Sequence, residues 1–322
     1  MAKVKKDTSK IVTMVEQDME KVKKRQKVAK IISKIAVYIF LGIMAVIVLF
    51  PFYWMIISSL KSLPEYRLSV PTLFPKEVHP ENYLKAFDTA NLWTLFKNTM
   101  YVGVVSTIIS LVITVLSAFA FARLEFKGRD TFFGLLLATM MIPGELFTIT
   151  NYQTVNDFLG LGTLGSNLGI KWLEEFGNWQ NTYTVLIVPF LVSVFYIYLL
   201  RQNFLQIPNE LYLAAKVDGT KDLKYLWKVM IPLAFPTLIS ITILKMMGAW
   251  NSYVWPRLVA NEESMQMITN GLRNAFTDAN TMDTDYPVQM AAVALVSIPL
   301  FLVFLFFRKY IMKGVSRSGI KG

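Results

Sequence analysis

Four stretches of this chain, residues 35–60, 98–122, 176–200 and 286–307, contain no Asp, Glu, Lys or Arg. A helix needs about 20 mostly apolar residues to cross roughly 30 Å of hydrocarbon. Within that layer the backbone has to satisfy its own hydrogen bonds, so runs of this kind are read as helices. In the 176–200 run the apolar half begins near Tyr183. Two further runs, 131–152 and 230–252, reach span length with one charge each, Glu145 and Lys245. With 54% hydrophobic residues in a 322-residue chain, the pattern predicts an all-α integral membrane protein with six transmembrane helices.

Charge asymmetry orients the spans, because Lys and Arg are retained on the cytoplasmic side of short loops. With the N-terminus inside, segments 1–34, 123–130, 201–228 and 308–322 hold 24 Lys and Arg, against 8 in segments 61–97, 151–182 and 253–287. Acidic residues run the other way, 9 inside and 12 outside, so the net charge of +11 belongs to the cytoplasmic face. The expected topology is N-in, C-in, and the basic balance needs no nucleic-acid partner. Residues 1–34 do not read as a cleavable signal: the basic part is too long, no A-x-A site follows the apolar run, and the run is long enough to span. Their mixed charges and partly helical apolar spacing fit a helix on the membrane surface or against a partner, and equally a solvated tail.

The chain has no cysteine, and its single histidine, His79, falls in a loop, so metal and thiol sites lack their ligands. It contains no G-x-x-x-x-G-K-[ST] and no nucleophile–base constellation. The expectation is a non-enzymic chain that binds no cofactor.

One polar segment interrupts the apolar runs. The stretch from Glu210 to Pro236 reads ELYLAAKVDGTKDLKYLWKVMIPLAFP and lies in the longest internal cytoplasmic loop, 208–230. Pro208 suits the start of a helix, and Gly219 after Asp218 suits its end. Leu211, Ala215 and Gly219 at i, i+4 and i+8 predict a stripe along one face where another backbone can approach. A second short helix from about Thr220 leads back to the membrane. A partner protein is the simplest reason for such a surface.

This stretch resembles the E-A-A-x-x-x-G loop of ATP-binding-cassette (ABC) importer permeases. Ala214, Ala215 and Gly219 match its small residues, Asp218 its acidic neighbour, and Ile231 and Pro232 its closing apolar–proline pair. The family's first glutamate falls on Leu213, and Glu210 occupies an earlier position, which implies a greasier or differently paired contact. FPFYWMIISSLKS, FAFARLEFKGRD, MIPGELF, LLRQNFLQIP, GAWNSYVWP and the terminal GVSRSGIKG extend the resemblance over nearly the whole chain from residue 35, to the maltose/multiple-sugar branch. The stretch 162–180 is longer than the family's outer loop there and is suited to a partner contact.

The resemblance implies a type I importer permease fold. It divides the chain into a basic segment 1–34, a first helix 35–60, an outer loop 61–97, a core 98–307 and a cytoplasmic tail 308–322. It also implies a multi-pass subunit of the bacterial cytoplasmic membrane, in contact with lipid, that translocates a sugar. Expected partners are a second homologous (MalF-like) permease, an ATPase dimer that carries the ATP and Mg2+, and an extracytoplasmic sugar-binding protein. Glu210, Leu213, Ala214, Ala215, Asp218 and Gly219 are the expected ATPase-coupling residues.

Charges at membrane depth are functional candidates. Counted from their cytoplasmic ends, Glu145 and Lys245 both fall in the outer half, and they are expected to face each other, either as a structural pair or as part of a translocation path. Pro143 and Gly144 predict a break in the third helix. Trp250 and Asn251 are candidates for the path, and Trp255 fits an aromatic belt. The alternative to an importer subunit is a self-sufficient secondary carrier or channel, which calls for an internal repeat and several intramembrane acids; the sequence shows no repeat and one such acid.

Overall fold

The computed structural model describes residues 2–273, 275–276 and 283–316, with side chains for 26–27 and 29–309 among these. Residues 317–322 of the terminal GVSRSGIKG, its remaining side chains and most of the basic N-terminal side chains therefore lie outside the described residues. The principal helices are α1 (Ala2–Ser59), α2 (Glu81–Thr89), α3 (Leu92–Arg123), α4 (Arg129–Thr139) and α5 (Leu146–Asn156). They are followed by α6 (Tyr183–Ile187), α7 (Val194–Leu205), α8 (Asn209–Val217), α9 (Ile231–Trp250) and α10 (Tyr286–Ser316), with shorter turns between them.

The count of six spans is not reproduced. Among the described residues four helices are long and apolar enough to cross a membrane: α1 over 29–59, α3, α9 with the turn leading into it, and α10 over 286–309. The pair of α6, continued to Phe190, and α7, bent by 45°, passes the same test together and counts as a fifth when taken as one span. The remaining run, 131–152, is split into α4 and α5, of 11 residues each. At 1.5 Å per residue each covers about half of the hydrocarbon. The break falls at 140–145, where Pro143 supplies no N–H and Gly144 disfavours helix, as expected from the sequence.

The core is organised around α3, which packs against α7 and α9. Its buried face carries Thr99, Gly103, Ser106, Thr107, Ser110, Thr114, Ala118 and Ala122. Lipid supplies little hydrophobic force between helices, so small residues that allow close backbones, together with hydrogen bonds, hold such contacts. A Cβ added at Gly103 would lie 3.3 Å from the Met246 side chain and 3.6 Å from the Ala249 Cβ. At the end of α3 that the charge pattern assigns to the outside, Asn98 donates to the carbonyls of Ser264 (2.8 Å) and Gln266 (2.9 Å) and accepts from the Tyr183 hydroxyl (2.7 Å). Thr99 accepts from the Ile268 amide at 2.9 Å. These bonds fasten the 253–272 loop and α6 to one helix.

The rest of the outer layer follows the same logic. Asn82 donates to the carbonyls of Ser59 and Lys61, both at 2.9 Å, which seats α2 on the end of α1. The long 162–180 stretch is a hairpin of two short helices, Leu161–Leu168 and Lys171–Gly177. It requires its glycines: a Cβ at Gly177 would fall 2.1 Å from the Gly162 nitrogen, and one at Gly165 2.3 Å from that of Glu174. By contrast, the apolar window of α1 has 0% of its residues buried within this chain.

Met246 can yield at its flexible end but the Ala249 Cβ cannot, so Gly103→Ala should be tolerated and Gly103→Leu should separate α3 from α9. The expected cost of the larger side chain is about 1–3 kcal/mol, measured as a lowered thermal midpoint of the purified assembly. Equal midpoints for the two variants would show that the helices do not meet here.

Candidate functional site

Two regions at opposite ends of the bundle concentrate the chemistry. The first is the loop around α8. The helix starts directly after Pro208 and stops at Gly219, which has φ +68°. There the Thr220 amide donates to the Ala215 carbonyl (2.8 Å) and the Gly219 amide to that of Lys216 (3.0 Å), the paired bonds of a left-handed helix stop. Nothing lies within 4 Å of a Cβ built at Gly219, so its requirement for glycine is the backbone angle and not space. The chain then folds back: Asp222 accepts from the Tyr212 hydroxyl (2.8 Å) and pairs with Lys216 (2.7 Å), and the rings of Tyr212 and Tyr225 lie 5.1 Å apart. The Lys216 and then the Tyr212 bonds hold the Asp222 carboxyl below the usual carboxylate range, and Asp222 raises the Lys216 ammonium. Both groups are therefore charged around neutrality, in a partly exposed pair of modest strength.

This geometry corrects the predicted stripe. Ala215 does not face outward; with Tyr212 it packs against the cluster containing Phe204, Tyr225 and Leu226. Its small side chain lets α8 lie close on that cluster. The outward face is instead Glu210, Leu213, Ala214 and Val217, spaced i, i+3, i+4 and i+7, with Val217 88% and Leu213 55% exposed. Asp218 is exposed at the helix end beside Gly219.

The base of the loop is tied to α3 by a residue that the sequence reading quoted but did not single out. Arg123 is buried, and its guanidinium donates to the carbonyls of Phe204 (2.9 Å) and Ile207 (2.5 Å) and approaches the Asn209 side-chain oxygen at 3.4 Å. Arg201 makes the reciprocal tie, donating to the Phe121 carbonyl at 3.1 Å with its guanidinium 4.1 Å from the Phe133 ring centre. The available signal was an arginine placed directly after a charge-free run.

The second region is a cavity of about 380 Å³ at the break between α6 and α7, near the opposite end of α9. Phe190, Ser193, Tyr196, Lys245, Ser252 and Trp255 are among its lining residues. Carbonyls at the break are taken by side chains: Lys245 donates to Phe190, and the Trp255 indole donates to Val185 at 2.9 Å.

Among the four residues expected on a path, only Lys245 lines this cavity. Lys245 and Glu145 do not pair: the ammonium is held by the Phe190 carbonyl, while Glu145 is exposed at the 140–145 break. Counting depth along an unbroken third helix misplaces Glu145. Trp250 is buried with Ile268 and Ala291 and packs edge-on to Phe96 at 5.8 Å, and Asn251 donates to the Met247 carbonyl of its own helix at 2.9 Å. Trp255 is buried and bonded, not part of a belt. Phe190, Ser193, Tyr196 and Ser252 were missed, because nothing local in the sequence shows what the break at Pro189 opens toward.

Several membrane-length helices, with a bent pair lining a cavity at one end and a bare helix braced by arginine at the other, define a polytopic membrane transport component. The chain belongs to the family of binding-protein-dependent transport system inner membrane components, whose pattern matches residues 110–317. It is therefore a transport subunit and not an enzyme. It is 30% identical to the arabinooligosaccharides transport system permease protein AraQ of Halalkalibacterium halodurans, over 86% of this chain and 93% of that one. It is 29% identical to the diacetylchitobiose uptake system permease protein NgcG of Streptomyces coelicolor, over 85% and 84%. It is 28% identical to the trehalose/maltose transport system permease protein MalG of Thermococcus litoralis, over 91% and 99%. Its fold is similar to that of a chain in the crystal structure of a bacterial ABC transporter that imports the acidic polysaccharide alginate, with a TM-score of 0.70 at 24% identity over 87% of this chain and 96% of that one.

Two measurements check this geometry. Arg123→Met leaves the buried Phe204 and Ile207 carbonyls without a donor and should destabilise the assembly by about 1–3 kcal/mol; an unchanged midpoint would remove the brace. A double-mutant cycle on Glu145→Gln and Lys245→Met should give a coupling energy within about 0.5 kcal/mol of zero, and a larger value would restore the pair.

Proposed function

We propose that this chain is one permease subunit of an ATP-driven importer that moves a sugar, in particular an oligosaccharide, across the bacterial cytoplasmic membrane. The observation that carries the reading is the outward face of α8: Leu213, Ala214 and Val217 are bare, while the inner face is braced by Tyr212, Ala215 and, through the loop base, Arg123. A rigid apolar face at the polar end of a membrane bundle suits a helix-in-groove partner. In this reading the partner is an ATPase dimer that holds the ATP and Mg2+, and this chain holds neither. A second homologous permease completes the pore, and an extracytoplasmic binding protein delivers the sugar. The names of the arabinooligosaccharide, diacetylchitobiose and trehalose/maltose relatives support a carbohydrate substrate.

The mechanism is alternating access. Closure of the ATPase dimer moves α8, Arg123 passes the displacement to α3, and α3 carries it toward Val102 and Ser106 on the cavity wall. In this reading both termini are cytoplasmic, on the same side as α8, in keeping with the basic residues, and α4 and α5 together make the remaining crossing that returns the chain to that side.

A charge placed in the docking face should separate the two activities. Leu213→Asp or Val217→Asp should cost about 2 kcal/mol of ATPase association, about 30-fold in affinity, and lower transport while the ATPase still hydrolyses ATP. Normal capture of the ATPase with wild-type transport would remove α8 from the interface. The chain has no native cysteine, so a single cysteine near residue 10 should resist an impermeant label in intact cells; labelling would invert the orientation.

A further inference from the structure

We infer that the cavity at the broken span holds the anionic group of a carbohydrate, a carboxylate or a phosphate, on the Lys245 ammonium. The inference rests on the sugar-importer reading and names the substrate class within it. An ammonium at membrane depth calls for compensation, and it carries three donors. Among the described residues Lys245 has one bonded acceptor, the Phe190 carbonyl, and no carboxylate within ion-pairing distance; Glu145, the one acid in a predicted span, lies elsewhere. The lysine is therefore held in place by a neutral group, with donor capacity left toward the cavity.

The rest of the wall suits a sugar ring. Ser193, Tyr196 and Ser252 supply hydroxyls, and Phe190 and Trp255, edge to face at 5.8 Å, supply aromatic surface. Neither the Ser252 nor the Tyr196 hydroxyl has a side-chain bond among the described residues, whereas the Trp255 indole is taken by Val185. A volume of about 380 Å³ lies at the lower end of the range for small-molecule sites, the scale of a mono- or disaccharide. A neutral sugar would use the hydroxyls and rings and leave the ammonium uncompensated; an acidic sugar uses all three.

The test exploits the absence of cysteine. Ser252→Cys places the chain's only thiol on the cavity wall. In the assembled importer, with cysteine-free partner chains, the rate of maleimide labelling is measured against galacturonate, digalacturonate and glucuronate, against galactose 6-phosphate and glucose 6-phosphate, and against the neutral sugars galactose, galactobiose and glucose. Acidic sugars should slow labelling at concentrations where their neutral counterparts do not, and the arm that protects, uronate or phosphate, identifies the anion. Adding Lys245→Met should raise the half-protecting concentration about tenfold to a hundredfold, the effect of losing one charge-assisted hydrogen bond, whereas Lys245→Arg should keep it within a few-fold. Equal protection by neutral and acidic sugars, indifferent to Lys245→Met, would overturn the anionic class and leave the sugar reading standing. Ready labelling that no carbohydrate slows would overturn the site. Uptake of sugars by the wild-type importer, measured in parallel, then shows whether the sugar reading fails as well. A Lys245→Met assembly that falls apart, while Lys245→Arg assembles without preference for acids, would assign the ammonium to a partner's carboxylate and overturn the inference.

Discussion

A backbone carbonyl in hydrocarbon has no water to accept from, and an unmet one costs several kcal/mol. Two places where this bundle departs from continuous helix are governed by that constraint. At the bend between α6 and α7, Lys245 and Trp255 reach across from α9 and the turn after it to the carbonyls of Phe190 and Val185. At the other end, Arg123 takes those of Phe204 and Ile207 as α7 runs out, and Arg201 takes that of Phe121. The long polar side chains thus permit irregular backbone where a cavity and a loop are needed.

The same bonds make α3 the frame of the molecule. Its outer end is fastened by Asn98 and Thr99 to the 253–272 loop, its middle lies close on α9 at Gly103, and its inner end is clamped by Arg123. A helix with small residues along its buried face can approach its neighbours closely but cannot bend independently of them. Val102 and Ser106 on the cavity wall and Arg123 at the loop base therefore belong to one stiff element, a physical basis for coupling between distant sites. By contrast, the lipid-length part of α1 has none of its apolar window buried within the chain, and it depends on its surroundings for cover.

The class of the protein, the positions of most spans and the loop at 208–230 were legible because each depends on local composition: charge-free length, basic loops, and proline and glycine at helix ends. The break at Pro143 and Gly144 was legible for the same reason. What was misread involved direction around or between helices. Ala215 was taken as outward because the spacing of Leu211, Ala215 and Gly219 identifies a face without saying which way it points; the Tyr212 and Tyr225 rings decide that. Trp250 was assigned to the path and Trp255 to a belt, yet Trp250 packs on Phe96 and Trp255 lines the cavity.

The sequence alone determined that this chain lives in a membrane, which ends of its helices carry the basic charge, and where a polar helical loop interrupts them. Those properties follow from the cost of moving single residues out of water. The tertiary structure alone decided that Lys245 meets Phe190 and not Glu145, that Arg123 braces the loop, and that a cavity opens at the bend. These depend on which distant carbonyl a break leaves unsatisfied and which side chain can reach it, and that is set by how the helices pack, not by their spacing along the chain.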